Sequence, residues 1–319
     1  MRRAKNPQAR KPEVTVVGSF AVGLTLRVPR FPVAGETLMG SDFDMGPGGK
    51  GSNQAVCAAR LGARSRFVAR LGRDSFAGVA LELYEREGVD ASHVRQTAER
   101  NTGVGFIMME EGGQNRIVLD PGANALLSPQ DVDEAEELIA ESAVVAAVLE
   151  IRAETAARAM ELGRRHGALT LLNPAPATVL DEAVLSQVDV LTPNESELRI
   201  LCGLRPDDPA DTAELAGRLL RKGVGRVVVT RGEEGAVVFQ SDGRTQSIRG
   251  YAVEATDTTG AGDAFNAALA VFVAEGRELS EAVRIAAIAG ALTCTRLGVI
   301  PGLPRREDVE KVMTSQGAM

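Results

Sequence analysis

Val144-Val145-Ala146-Ala147-Val148-Leu149 is an uninterrupted apolar run. A strand with one face in water alternates apolar and polar residues, whereas an unbroken run is the pattern of a strand buried on both faces. Downstream, Leu169–Leu172, Val188–Leu191 and Arg226–Thr230 repeat that pattern, with helical spacing between them. Upstream, Val14–Val17 reads as a strand, Ser52–Leu61 as a helix and Arg66–Ala69 as a strand. Asp74 suits the N-cap of a helix running to about Glu87, which Gly88 ends. The alternation of strand and helix predicts an α/β fold built on a mostly parallel sheet covered on both sides. Leu279–Thr295, Ala-rich and apolar nearly all round, reads as a buried core helix.

Two stretches break the alternation. Leu24–Ser41 and Gly103–Leu119 are strand-like, with more polar alternation and turn residues such as Glu110–Gly113. They suggest a small antiparallel accessory sheet, a lid rather than a second core. No internal repeat or low-complexity linker interrupts the chain. One α/β domain over residues 13–319 is expected, preceded by a disordered basic tail at 1–12.

The chain has 319 residues, 44% of them apolar, enough for a sizeable core. Aromatics are 3% with no Trp, which argues against stacking platforms for single-stranded nucleic acid. The net charge is −7 although the first twelve residues carry five bases and no acid. So acidic a body argues against DNA or a membrane surface as partner. Cys57, Cys202 and Cys294 are widely spaced, which argues against a disulfide framework or zinc site and fits a reducing cytoplasm. No apolar run reaches the roughly 20 residues of a membrane span, and the tail lacks the apolar core of a secretory signal. His93 and His166, in polar helical or loop stretches without a partner motif, are assigned to the surface. The Met108-Met109 pair is assigned to packing within the lid.

Gly46-Pro47-Gly48-Gly49-Lys50-Gly51-Ser52-Asn53-Gln54 is the richest glycine segment. Its GxGxxG spacing does not follow the first strand directly, as a dinucleotide fingerprint requires. Gly51 stands where a P-loop places Ser or Thr after its lysine. Two readings stay open: a close backbone approach by a ligand at a helix start, with Lys50 and Asn53 as donors, or a tight turn with a solvated lysine. Asp257-Thr258-Thr259-Gly260-Ala261-Gly262-Asp263 is more specific, because it runs into the apolar helix Ala264–Ala274. Small residues at 260–262 let backbone N–H groups converge at a helix N-terminus, where negative charge is stabilised. Asp263 at the helix entrance either accepts a proton from a substrate hydroxyl or caps its helix.

Both segments, in this order, resemble the signatures of the PfkB carbohydrate kinases, and within them the ribokinase branch. The resemblance spans Val14 to Pro304. It includes Gly49–Ala55 with Gly62 and Gly72, the Asp257–Asp263 stretch, and the phrases Pro121-Gly122-Ala123-Asn124, Asn173-Pro174-Ala175-Pro176, Thr192-Pro193-Asn194-Glu195 and Thr295-Arg296-Leu297-Gly298. It implies a ribokinase-like fold and ATP-dependent phosphorylation of a primary hydroxyl on a small sugar. Asp263 matches the catalytic base, and Gly260, Ala261 and Gly262 match the anion hole around the transferring phosphoryl group. Gly49, Lys50, Asn53 and Glu150 match sugar contacts. Asn194 matches an ATP contact and Glu197 a residue acting on Mg²⁺ through water. Thr230, Arg231, Gly232, Glu233, Glu234 and Gly235 match the turn beside the nucleotide. Asp257, Thr259, Thr293, Arg296, Gly298 and Gly302 match a monovalent cation site, although the family often carries Ser at the last position. Mg²⁺ with ATP, K⁺ as activator and a homodimer paired through lids are therefore expected.

One departure bears on the substrate. Ribokinases place Asn and Asp after the first strand to grip sugar hydroxyls, whereas this chain reads Gly18-Ser19-Phe20-Ala21-Val22-Gly23. A lost charge-assisted hydrogen bond removes about 1.5–3 kcal/mol. The acceptor is read as ribose, with deoxyribose, a ketohexose or a nucleoside as alternatives and a non-catalytic sugar-binding protein as the remote one.

Overall fold

The protein is described from a computed structural model that covers residues 11–110, 112 and 114–317. Most of the basic tail and part of the Glu110–Gly113 turn lie outside these residues. The strands are β1 (Glu13–Val17), β2 (Ala21–Val28), β3 (Ser41–Gly48), β4 (Arg64–Gly72), β5 (Asp90–Thr97), β6 (Gly103–Glu110), β7 (Asn115–Asp120), β8 (Val144–Val148), β9 (Leu169–Asn173), β10 (Val190–Leu191), β11 (Arg226–Thr230), β12 (Gly235–Gln240) and β13 (Thr245–Arg249). The helices are α1 (Lys50–Arg60), α2 (Ser75–Glu87), α3 (Pro129–Asp133), α4 (Glu136–Ala140), α5 (Ala153–Arg165), α6 (Glu182–Leu185), α7 (Glu195–Leu201), α8 (Thr212–Arg221), α9 (Ala261–Ala274), α10 (Leu279–Thr293), α11 (Val299–Gly302) and α12 (Arg306–Gly317).

Among the described residues, nine strands form one sheet in the order β13-β12-β11-β10-β9-β8-β1-β4-β5. Every pairing from β11 to β5 is parallel, and β12 and β13 add an antiparallel hairpin at one edge. The run that began the sequence reading is β8, fully buried in the middle of this sheet. Its alternate residues serve two cores: Val144 and Ala146 pack with α1, α9 and α10 on one face, Val145 and Ala147 with α5 and α8 on the other. Each fully buried valine of this kind contributes ~1.5–3 kcal/mol. Cap chemistry fixes α2 as expected: Asp74 accepts the Ala77 N–H and Gly88 is left-handed.

The second sheet departs from the sequence reading in extent and direction. It has the order β3-β2-β6-β7, and β2 runs parallel to β6. Most of residues 29–40 form a connection rather than a strand, and the second strand is β3, which takes up the first glycines of the glycine-rich segment. Two helices start earlier than read: α1 at Lys50, and α9 at Ala261, which places Asp263 inside the first turn rather than at the entrance. His93 lies on the edge strand β5, not in a helix or loop. Gly235–Gln240 and Thr245–Arg249, not assigned to strands from the sequence, extend the main sheet.

All chain crossings between the sheets lie at one end of the small sheet: before β2, after β3, before β6 and after β7. Asn124 clamps that end, its amide donating to the Phe20 carbonyl at 2.7 Å and accepting the Phe20 N–H at 3.0 Å.

Candidate active site

Helix α1 starts where the chain leaves the small sheet. Gly49 caps it at φ 91°, and a Cβ there would stand 2.7 Å from the Phe20 Cα, so only glycine fits. The open N–H groups of the first turn need acceptors. Glu150, beyond the end of β8, supplies one: its Oε2 accepts the Lys50 N–H at 2.8 Å and the Ser19 hydroxyl at 2.5 Å. Glu150 is thus tied to a helix start a hundred residues away rather than being a solvated loop acid. Ser19 had no assigned role in the sequence reading.

Helix α9 packs alongside α1 and is preceded at its N-cap by Gly260, left-handed at φ 83° and without a side-chain cap. A Cβ at Gly260 would meet the Val299 side chain at 2.7 Å. Asp263 is 5% exposed and does not cap the helix. Its Oδ2 accepts the Asn53 amide at 2.8 Å and its Oδ1 the Gln54 amide at 3.5 Å. Burial pushes its carboxyl up to about 6; the Lys50 charge and the Asn53 bond oppose this, and the Glu150 charge adds to it. The Oδ1 of Asn53 and Oε1 of Gln54 are buried acceptors without a hydrogen-bond partner among the described residues.

Asp263 opens onto a polar cavity of about 330 Å³. Lys50, Asn194, Glu197, Thr230, Thr259, Gly260 and Gly262 from the sequence reading line it. Asn173, Thr192 and Thr258, which stood within the quoted stretches without an assigned role, line it too, as does Asn266, read only as part of an apolar helix. Asn194 and Glu197 form a capping box at the start of α7, each side chain accepting the other's N–H at 2.8 Å. Burial pushes the Glu197 carboxyl up, against the Asn194 bond and the Lys50 charge. The cavity's carboxylates, buried Asp263 and half-buried Glu197, and its threonine hydroxyls are hard oxygen donors, a set that fits a hydrated Mg²⁺ arriving with a nucleotide.

Thr230 ends β11, bridges to Asn194 and lines the cavity, whereas Arg231, Gly232, Glu233, Glu234 and Gly235 of the following turn do not line it. Arg231 pairs with Glu234 at 2.5 Å across this turn, and Gly232–Glu234 make one 3₁₀ turn before Gly235 starts β12. The positions matched to the cation site gather as one group of three, Asp257 with Thr259 and Gly298, and one pair, Thr293 with Gly302. Asp257 Oδ2 accepts the Gly298 N–H at 3.0 Å while Oδ1 holds the Thr259 N–H and hydroxyl. A Cβ at Gly302 would lie 2.8 Å from the Thr293 carbonyl, so a larger residue there requires a backbone shift. Arg296 is exposed on the loop between Thr293 and Gly298.

The comparisons agree with this geometry. The chain is 36% identical over 295 residues to a ribokinase of Haemophilus influenzae, covering 92% of this chain and 96% of that one. It is 34% identical over 304 residues to a deoxyribokinase of Salmonella typhi, covering 95% and 99%. The structure of Arabidopsis thaliana ribokinase complexed with ribose and ATP superposes with a TM-score of 0.89 at 32% identity, covering 95% of this chain and 99% of that one. The pfkB family carbohydrate kinase profile matches residues 11–306. The chain belongs to the pfkB family of carbohydrate kinases, phosphotransferases whose acceptor is a sugar hydroxyl.

Proposed function

We propose that the protein is a ribokinase-type enzyme that transfers the γ-phosphoryl group of ATP to the primary hydroxyl of D-ribose, giving ribose 5-phosphate. The observation that carries this reading is Asp263: a carboxylate buried in the first turn of α9, beside backbone N–H groups, at the mouth of a polar cavity. Its elevated pKa of about 6 leaves it ionised at neutral pH yet basic enough to take the hydroxyl proton as the oxygen attacks. The N–H groups of Gly260 and Gly262 stabilise the charge of the transferring group, and that of Ala261, which donates to the Thr258 carbonyl at 3.3 Å, joins them once that bond opens. Lys50, Asn53, Glu150 and the Gly49 backbone orient the sugar. Asn194 and the 230–235 turn hold the nucleotide, and Glu197 holds Mg²⁺ through water. Mg²⁺ supplies charge neutralisation on the phosphates.

The small sheet acts as the lid, closing over the sugar and excluding water. In register across it, Met45, Leu24, Phe106 and Val118 form an apolar row, and all but Leu24 are exposed. That row supports a homodimer paired through the lids. A cytoplasmic location and activation by K⁺ at the 257–302 loops complete the reading.

Deoxyribose is favoured as a second acceptor by one corner of the site. Ala21 lies between Gly48 and Gly103, and Gly23 between Gly46 and Gly105, so no side chain there can bond a hydroxyl. ATP consumption across pentoses, deoxypentoses, hexoses and nucleosides, with and without K⁺, tests the assignment. Ribose turnover well above the others supports it; deoxyribose in first place makes residues 21–23 the specificity determinant, and no turnover of any compound refutes it.

A further inference from the structure

Gln54 directly follows Asn53, but 100° further round α1. Its Nε2 donates in two directions, to Asn173 Oδ1 at 3.1 Å and to Asp263 Oδ1 at 3.5 Å. From Asn173 the bonds continue: Nδ2 donates to the Thr192 carbonyl at 3.5 Å, and the Thr192 hydroxyl donates to Asn266 Oδ1 at 2.5 Å. Asn266 Nδ2 then donates to the Gly262 carbonyl at 2.8 Å, next to Asp263. The circuit closes on itself through α1, the ends of β9 and β10, and α9. Its side chains are almost wholly buried: Gln54 1%, Thr192 2%, Asn266 2% and Asn173 6% exposed.

We propose that Gln54 is a positioning residue for Asp263, acting as the member of this buried ring that fixes the carboxylate relative to the first turn of α9. The orientation of its amide supports the role. With the amide turned over, its carbonyl would face two acceptor oxygens, so the NH₂ must point at Asp263 and Asn173. That leaves Oε1 buried without a partner, an arrangement native proteins rarely keep. Asn53 does the same from the preceding position. Two successive amides thus leave a carbonyl unpaired in order to present N–H to one carboxylate. Bonds through the Gln54 and Asn173 amides polarise one another, and those of Thr192 and Asn266 tie the same network to the first turn of α9 through the backbone.

The turnover consequences rest on the kinase reading; the geometry does not. The test is Gln54→Leu, read by the Asp263 ¹³Cγ titration in the unliganded protein and by kcat and KM. The charged groups facing Asp263 are Lys50 of α1 and Glu150; Cys57 of α1, its thiol pushed up to about 12 by burial, stays neutral. With these unchanged, loss of one donor moves the titration toward higher pH. The expected kinetic result is kcat down roughly 10–100-fold, with the sugar KM within about twofold. Thr192→Val breaks the ring on its far side and leaves the Gln54 amide in place. It is expected to lower kcat, and the double variant to fall short of the product of the single losses. An unmoved titration with unchanged kcat in Gln54→Leu overturns the proposal, as do multiplicative losses in the double variant. Should Gln54→Leu not fold, Gln54→Asn, which keeps the amide but withdraws it by one methylene, carries the same titration test. A wild-type protein that turns over no sugar refutes the kinase reading alone, because the titration still decides what Gln54 does.

Discussion

Asp263→Asn is expected to abolish turnover and, in the same molecule, to raise resistance to unfolding. An ordinary aspartate titrates near 3.8 and this one at about 6, because burial disfavours the charge. A folded value above the unfolded one means the proton-linked stabilisation is complete below about 3.8 and is lost as pH rises through about 6. The gap corresponds to about 3 kcal/mol that the ionised base takes from the native state. With about 2.1 cal/mol/K of unfolding entropy per residue, 319 residues convert that into a Tm rise of roughly 4–5 °C. The local chemistry acts in the same direction: the new amide offers an N–H to the unpaired carbonyl of Asn53, which a flip of that side chain brings round. Calorimetry of the unliganded wild type and variant between pH 4.5 and 8 measures this. The variant should lead at pH 8 and its advantage should shrink as pH falls through 6. A variant no more stable than wild type at pH 8, or an advantage independent of pH, would refute the assignment of a strained, buried, ionised base.

Further expectations follow from neighbouring contacts. Glu150→Ala removes both bonds at the start of α1, costing about 2 kcal/mol, or ~3 °C in Tm, whereas Glu150→Gln keeps an acceptor and loses less. Both remove a negative charge that raises the Asp263 pKa, so the acidic limb of the kcat profile moves to lower pH in each; a limb that stays put contradicts the coupling. Gly260→Ala forces a left-handed alanine against Val299, with about 1–3 kcal/mol of strain, and should lower kcat by roughly 100-fold through displaced N–H groups, measurable under saturating ATP and sugar. Phe106→Glu with Val118→Glu charges the apolar row of the small sheet and should convert a dimer to a monomer in sedimentation without unfolding it.

The parts of this protein that were legible in its sequence are those whose cause is local. The Asp74 and Gly88 caps bound α2 because each satisfies backbone groups within its own turn. Residues 144–148 announced a central strand because both faces must be apolar there. By contrast β5, read Asp-Ala-Ser-His-Val-Arg-Gln-Thr, sits at the sheet's edge and carries no apolar period to read. The parallel pairing of β2 with β6 joins residues about eighty positions apart, and no local pattern encodes that direction. The site divides the same way. Asp263 and the 260–262 turn stood out by composition, and the Asn194–Glu197 spacing could also have been read as a capping box. Thr192 and Asn266 meet across 74 positions, so neither carries a sequence signal for the ring they complete.

The single attachment end of the small sheet makes it a lever. Strands of eight residues, as in β2, β3 and β6, reach about 26 Å at ~3.3 Å per residue. Their fulcrum is the Phe20 backbone, gripped by Asn124. A rotation of ~15° about that point, by the same arm length, sweeps the tip through roughly 7 Å while Gly49, at the pivot, scarcely moves. Anything that holds the tip therefore works at high mechanical advantage over the base. Phe106 and Val118 sit about halfway along that arm, so in the proposed lid a force on them acts at roughly half the tip's advantage and still leaves Gly49 in place.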